Sequence, residues 1–388
     1  MGSIWSNSDP TIKTEPERDL SSLQYVYSFF RHGTRAPLYK PYPNNPYKSI
    51  YPEHFPGPPG ELTDEGKRLM YKVGRRLKAV YGKFIGPYSA ENVTITSTDM
   101  SRTITSAMAT SAGLFPPAEP IFNNMMWQPI PVWHNTLDFD KAYIFNDPDY
   151  PSLGLKDCPK YGKMIKEGYE LTKNPDPSEA NKPIYELLKK HTGRTDINSI
   201  DTHYEIWDTI QFESLNGLQQ PQWVTQPRPE FNNKPLYPDM MAPLLVELFE
   251  KSIYLNKSKE MLSFYAGPLL HHIHEKFMKK SQDNTFAEKF RFHSTHDDTL
   301  FALRWGLGLD KPQMIGPGDG FIFELHKETL ADKRSCDTVK VFFCNSHKLE
   351  IEELDLPKCE SPCTLDCFMD KYPGVSPSQW QDSCRSLK

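Results

Sequence analysis

Arg31-His32-Gly33-Thr34-Arg35-Ala36-Pro37 sets two guanidinium groups four residues apart, with an imidazole beside the first. Arginine's planar fork matches the oxygens of a phosphate, and two forks beside one histidine describe a held phosphoryl group facing a nucleophile. Gly33 is expected to let the backbone bend tightly between them. A strand end with solvated basic residues explains a single Arg or His but not the whole heptapeptide. Two further segments share its layout. Arg102 lies in the first turn of an expected helix, where the dipole disfavours a cation unless an anion is bound. Alone this is weak, since Asp99 offers a local partner. His296-Asp297 adds a second imidazole and a carboxyl group.

If these three segments meet, Arg31, His32, Arg35, Arg102, His296 and Asp297 surround one crevice. The arginines would hold a phosphoryl group and stabilise the charge on its equatorial oxygens. A neutral His32 would attack phosphorus, His296 would donate to a phosphate oxygen, and Asp297 would protonate the leaving alkoxide. Such a scheme needs no metal and no cofactor. Competing designs leave no trace: no cysteine has an arginine six positions later, and neither G-x-x-x-x-G-K-[ST] nor G-x-S-x-G occurs. A metal-dependent phosphohydrolase remains the alternative, although its His-Asp pair would normally sit on a helix.

The positioning elements are strands. Leu23–Phe30 is an apolar, aromatic run of the kind buried in a sheet, Val93–Ser97 is a second and Lys289–Thr295 a third. Each leads into a polar turn, and parallel neighbours would bring the three turns together at their carboxyl ends. Gly320–His326 and Thr338–Asn345 read as a hairpin. Leu38–Gly60 holds seven prolines and is expected to be neither helix nor central strand, serving substrate access or simple covering. Residues 64–82 form an amphipathic helix capped by Thr63, with Lys67, Arg68, Lys72, Arg75, Arg76 and Lys78 on its solvated face. A helix over 101–114, capped by Asp99 or Ser101, buries Ile104, Met108 and Phe115. Trp127–Trp133 is expected as an edge strand.

Helical segments near 160–172, 178–192, 198–215 and 238–255 carry no chemistry motif. Within them His203, Trp207 and Asp208 are read as core packing in preference to a cleft lining. Residues 267–280 form a helix with Pro268 in its first turn, and His271, His272 and His274 on it read as a surface cluster, not a metal site. The fold class is therefore α/β, with a mixed, largely parallel central sheet flanked by helices and a smaller inserted all-helical domain. Residues 1–22 are a flexible tail, 23–132 with 258–388 the α/β core, and 133–257 the insertion.

Bulk properties agree with a soluble enzyme. A net charge of −5 over 388 residues lacks the basic footprint of a nucleic-acid binder. No apolar run approaches the ~20 residues of a membrane span. No signal peptide is visible, and Met1-Gly2-Ser3 reads as a start added for expression. Six of the seven cysteines crowd into residues 336–384 without metal-site spacing, which points to disulfides and an oxidising compartment, with one thiol left over. Asn92 and Asn256 open glycosylation sequons.

At R-H-G-x-R-x-P (Arg31 to Pro37), Ser97–Thr103, Leu114–Pro117, Trp127–Val132 and His296-Asp297, the chain resembles the histidine acid phosphatases of the prostatic and lysosomal type. The resemblance runs from about Leu23 to Cys384. It implies that His32 is a phosphorylated nucleophile, that Arg31, Arg35, Arg102 and His296 bind phosphate, and that Asp297 is the proton donor. It also implies disulfides Cys158–Cys384 and Cys359–Cys363, leaving Cys336, Cys344 and Cys367 unassigned. The implied enzyme is a metal-independent acid phosphomonoesterase, secreted or lysosomal, acting on small phosphomonoesters or phosphoproteins, with homodimers frequent among relatives. Phytase-like or lysophospholipid phosphatase activity, and an inactive binding protein on the same scaffold, are the competing readings. Asp298 departs from the family pattern, where Thr is usual. A second carboxylate there is expected to raise one pKa of the pair and shift the pH optimum.

Overall fold

Strand β1 (Leu23–Arg31) has a partner on each edge and helices on each face, which is why its sequence is apolar almost throughout. The computed structural model describes residues 18–134, 158–172, 181–197, 199–252, 258–309, 314–329 and 335–385. The sheet order is β2 (Val93–Ser97), β3 (Phe290–Thr295), β1, β4 (Gly320–Thr329), β5 (Ser335–Asn345), β6 (Glu350–Glu353). The sheet is mixed: β2, β3 and β1 run parallel, and the other three junctions are antiparallel. Parallel pairing is thus confined to the three strands that carry the candidate site. The sequence reading missed β6, a short, charged edge strand of the kind that discourages further pairing.

Helices occupy both sheet faces. The described helices are α1 (Tyr51–His54), α2 (Asp64–Ile85), α3 (Ser101–Leu114), α4 (Pro159–Thr172), α5 (Lys182–Thr192), α6 (Ile200–Leu215), α7 (Gln222–Thr225), α8 (Met241–Ser252), α9 (Lys259–Gln282), α10 (Asp297–Gly306), α11 (Leu365–Lys371) and α12 (Pro377–Arg385). Val26 and Phe30 of β1 pack with Phe290, Phe292 and Ile322 beneath α2 and α3. Tyr25, Tyr27 and Phe29 point the other way, into a core with Phe321, Phe323 and residues of α9 and α10. This is the period-2 alternation of a strand buried on both faces. A third core, built around Leu188, Ile206, Trp207, Ile210 and Leu244, lies among α5, α6 and α8.

Several expectations need correction. Residues 18–22 are not loose: Arg18 lies 2.8 Å from the buried Glu324 carboxylate and stacks on Phe342. The proline-rich loop contains the single helical turn α1, with Pro52 tolerated in the first turn where an N–H is not needed. Arg76 faces inward, and Met108 outward with Ile104 half-buried; the buried face of α3 is made by Thr103, Ser106, Ala107, Thr110 and Leu114. Trp127–Trp133 is no strand; only Trp133 bridges to Thr96, in parallel. Helix α9 begins eight residues before Gly267, so Pro268 sits inside it. The carbonyl of Phe264, deprived of the N–H four residues on, accepts instead from the Trp380 indole at 3.1 Å. The three histidines of α9 are not a surface cluster. His272 is buried against the Tyr27 hydroxyl, His274 against the Phe368 ring, and His271 pairs with Glu275. Cys158 bonds Cys384 and Cys359 bonds Cys363, tying α4 to α12 and closing a short loop before α11. Asn92 is half-exposed just before β2; Asn256 falls outside the described residues.

Helix α2 meets the first strand end through two glycines. A Cβ at Gly66 would lie 1.9 Å from the Thr34 carbonyl oxygen, and one at Gly33 would lie 2.6 Å from the Gly66 carbonyl oxygen. Gly82, on the same helix, has only Lys78 Cγ within reach, at 3.4 Å. Gly66→Ala is therefore expected to lower stability by about 1–3 kcal/mol or more through forced displacement. Gly82→Ala should raise it by roughly 0.5–1 kcal/mol through helix propensity. Equal and small shifts in thermal melting for the two variants would refute this contact.

Candidate active site

The parallel strands end in register: Arg31 pairs with Thr295, and Ser97 with Ser294. Beyond these ends the chain remains tied together. His32 N–H donates to Thr295 O at 2.9 Å and Thr98 N–H to Ser294 O at 3.1 Å. Backbone pairing thus places His32, Thr98 and His296 side by side, and the His32 and His296 ring centroids are 5.6 Å apart. Gly33 does not have a positive φ, so its role is not the tight bend expected from sequence. It admits the Gly66 carbonyl, and its own N–H donates to Ser106 Oγ at 3.0 Å.

His32 is buried, and its Nδ1 lies 2.8 Å from the Gly33 carbonyl oxygen. A carbonyl only accepts, so Nδ1 carries the proton and the Nε2 lone pair is available. Burial, then the charges of Arg31, Arg102 and Arg35, hold the imidazole well below its usual pKa. It is neutral even in mild acid. His296 is pushed down to about 3 by burial and Arg102, against an opposing pull from Asp297. The Thr98 hydroxyl donates to Thr103 at 2.8 Å, so it accepts from His296 Nε2–H at 3.0 Å.

The arginines converge. Arg31 Nη1 donates to Ile315 O at 2.6 Å, and its Nη2 lies 2.9 Å from Asp297 Oδ2. Arg35 Nη2 donates to Asp208 Oδ1 at 2.5 Å. Arg102 occupies the second position of α3, whose N-cap, Met100, offers no side-chain bond. Neither expected cap serves: Asp99 pairs with His134, and Ser101 donates to Glu61. Burial and the charges of Arg35 and Arg31, opposed by Asp297 and Asp298, bring Arg102 down to about 10. In all three arginines the Nε–H is buried without a protein partner. A buried, unsatisfied charged donor is costly, and three in one crevice form a site for an anion.

The two carboxylates differ. Burial favours the neutral form of Asp297, but Arg31 and then Arg35 outweigh it and hold the carboxyl below its ordinary value. Asp298 is solvent-exposed, yet the protein packed around it and the charge of Asp297 push it up to about 6. The raised member of the pair is thus Asp298.

All six residues expected from sequence meet at one crevice. Sequence reasoning passed over Asp208, assigned to core packing with His203 and Trp207. Those two do pack inside, against Tyr185 and Tyr237, whereas Asp208 reaches Arg35. An acid between the apolar residues of Ile206-Trp207-Asp208-Thr209-Ile210, with Phe212 and Asn216 at helical spacing after it, was the available signal.

A family model described as histidine phosphatase superfamily (branch 2) matches residues 22–317. Lysosomal acid phosphatase of Homo sapiens is 29% identical over 373 residues, covering 95% of this chain and 82% of that protein. Prostatic acid phosphatase of Rattus norvegicus is 29% identical over 369 residues, covering 93% and 89%. In fold, the chain is similar to the phytase from Citrobacter braakii, with a TM-score of 0.63 at 17% identity over 95% of this chain and 100% of that one. That last likeness concerns the fold alone.

The geometry at His32 has a direct spectroscopic consequence. Nitrogen chemical shifts of the ligand-free protein should show a neutral ring with Nδ1–H and bare Nε2 throughout pH 5–7. An imidazolium spectrum at pH 5, or the opposite tautomer, would contradict the assignment.

Proposed function

The chain belongs to the histidine phosphatase superfamily (branch 2) and is a phosphomonoester hydrolase, and from that premise we propose that it works through a phosphohistidine on His32. The observation that carries this reading is a neutral, buried His32 with a bare Nε2, facing three guanidinium groups whose buried Nε–H donors have no protein partner. The phosphoryl group binds among Arg31, Arg35 and Arg102, which stabilise the charge of the in-line transition state. Nε2 forms the N–P bond as the bond from phosphorus to the ester oxygen breaks. Asp297 gives its proton to that oxygen, and the alcohol leaves. Water then attacks phosphorus, Asp297 takes one of its protons, and the N–P bond breaks to release phosphate and neutral His32.

The ionisation states follow. With the anion absent, Arg31 keeps Asp297 ionised. A bound phosphate competes for Arg31 and brings negative charge beside Asp297, and both effects raise the carboxyl pKa. Binding therefore helps to create the acid that the first step requires. His296 donates Nε2–H to Thr98, so it serves phosphate through Nδ1 only as an imidazolium, a form the bound anion favours. Low pH suits this site because Asp297 must be protonated while His32, held well below its usual pKa, stays neutral. Substrates are small phosphomonoesters; the lysosomal relatives and the two disulfides support an acidic or extracytoplasmic setting.

Rapid quenching into alkaline denaturant, where the N–P bond of a phosphohistidine survives, should after turnover of a labelled phosphomonoester leave one phosphate on the wild type and none on His32→Ala. Label on His32→Ala, or activity abolished by chelators, would overturn the scheme in favour of a metal-dependent reaction. Asp297→Asn should reduce kcat by about 10²–10⁴-fold for alkyl phosphates and far less for an aryl phosphate with a good leaving group. Equal losses on both would remove Asp297 as the proton donor. Above about pH 6 the charge of Asp298 helps keep Asp297 protonated, so Asp298→Thr should move the basic limb of the kcat profile to lower pH. An unchanged limb would exclude that coupling.

A further inference from the structure

Arg35 belongs to the first strand end, yet helix α6 of the insertion determines how its guanidinium lies. Three residues at successive helical turns converge on it. Asp208 takes both terminal nitrogens, Oδ1 at 2.5 Å from Nη2 and Oδ2 at 3.4 Å from Nη1. The ring of Phe212, four residues on, lies under the guanidinium with its centroid 3.9 Å from Cζ. Asn216, four further, donates from Nδ2 to the Arg35 backbone carbonyl at 3.0 Å. Spacings of four place all three on one face of a helix. Asp208 Oδ2 also accepts from Leu38 N–H at 2.8 Å, so the same carboxylate fixes the backbone just past the motif.

Counting donors shows what this arrangement leaves. A guanidinium has five N–H groups. Asp208 and the Ala36 carbonyl, which accepts from Nη1 at 3.0 Å, occupy the end formed by Nη1 and one proton of Nη2. What remains is Nε–H, buried without a protein partner, and the second proton of Nη2. These two parallel donors form one edge, the geometry that grips two oxygens of a phosphate. Phe212 prevents the plane from tipping, and Asp208 prevents it from rotating to offer its other edge.

We propose that α6 is the positioning element for the phosphate-binding edge of Arg35, with Asp208 as its principal positioning residue and Phe212 and Asn216 as supports. Asp208 does not touch the substrate; it acts through Arg35. The insertion is thereby part of the phosphate pocket and not only a cover over it. Helix α6 extends the same control to the loop beyond the motif, since the Glu213 carboxylate accepts from Asn45 Nδ2 at 2.7 Å and from the Tyr51 hydroxyl. The proposal rests on the assignment of Arg35 to phosphate.

The test is a double-mutant cycle on the full chain, read as the competitive inhibition constant of inorganic phosphate and as kcat/KM for an aryl phosphate. Rates are normalised to active sites by the trapped phosphohistidine. Asp208→Asn and Arg35→Gln should each weaken phosphate inhibition about tenfold or more, and the double variant should be no worse than Arg35→Gln alone. Additive losses, or a wild-type inhibition constant in Asp208→Asn, would overturn the proposal. Phe212→Leu and Asn216→Ala bury no unpaired charge and guard against a misfolded first variant. Each should weaken phosphate inhibition by a smaller factor, and a melting temperature lowered with phosphate inhibition unchanged would count against a positioning role. If wild type traps no phosphate at His32, the functional reading fails; if it does and the cycle is additive, only the role of α6 fails.

Discussion

Three guanidinium groups gathered in one crevice repel one another, and much of the local structure offsets that repulsion. Arg31 and Arg35 are almost fully buried, so their charges are weakly screened. The fold answers with fixed carboxylates on two sides. Asp297, from the third strand end, pairs with Arg31, and Asp208, from helix α6, pairs with Arg35. The pairs leave the Nε–H donors of all three arginines without partners. The crevice is therefore electrostatically incomplete by construction. In the proposed mechanism an anion with several oxygens completes it, and its binding energy would be available to change the ionisation of Asp297.

The same cations favour the neutral form of His32 that the proposed mechanism requires. A histidine in water would be protonated at the pH where a carboxylic acid retains its proton. Burial and the arginine charges lower the His32 pKa and so separate the two titrations. The Gly33 carbonyl then decides which nitrogen is bare. That carbonyl is in place because helix α2 can approach the strand end, and it can approach because residues 33 and 66 lack side chains. A packing requirement and a chemical one are thus met by the same two glycines.

The core of the site was legible in the sequence because its residues cluster within short segments. Arg31, His32 and Arg35 fall in one heptapeptide, and His296 and Asp297 are adjacent. Each cluster follows a strand pattern, and the C-terminal ends of parallel strands gather in one place. Misreadings came where a local rule met tertiary context. Pro268 was placed in a first turn because a proline removes an N–H, but Trp380 satisfies the carbonyl it strands. The histidines of α9 were read as a surface cluster because no second set of metal ligands accompanies them, yet two of them point into the core. Met100, with no capping side chain, precedes α3, and the first turn carries Arg102.

By itself the sequence pointed to the family and to an α/β sheet flanked by helices, and it named the groups that the proposed mechanism uses to attack, clamp and donate. The identity of a reactive side chain is written at a single position. What only the tertiary structure decided is orientation. The tautomer of His32 depends on where the folded backbone turns the Gly33 carbonyl, and the edge of Arg35 that remains free and the division of acidity between Asp297 and Asp298 depend on partners far along the chain or on local burial. Asp208 lies 173 residues from Arg35, and nothing in either local pattern specifies that they meet. Electrostatic and hydrogen-bond geometry depends on distances in space, and only the folded backbone fixes those distances.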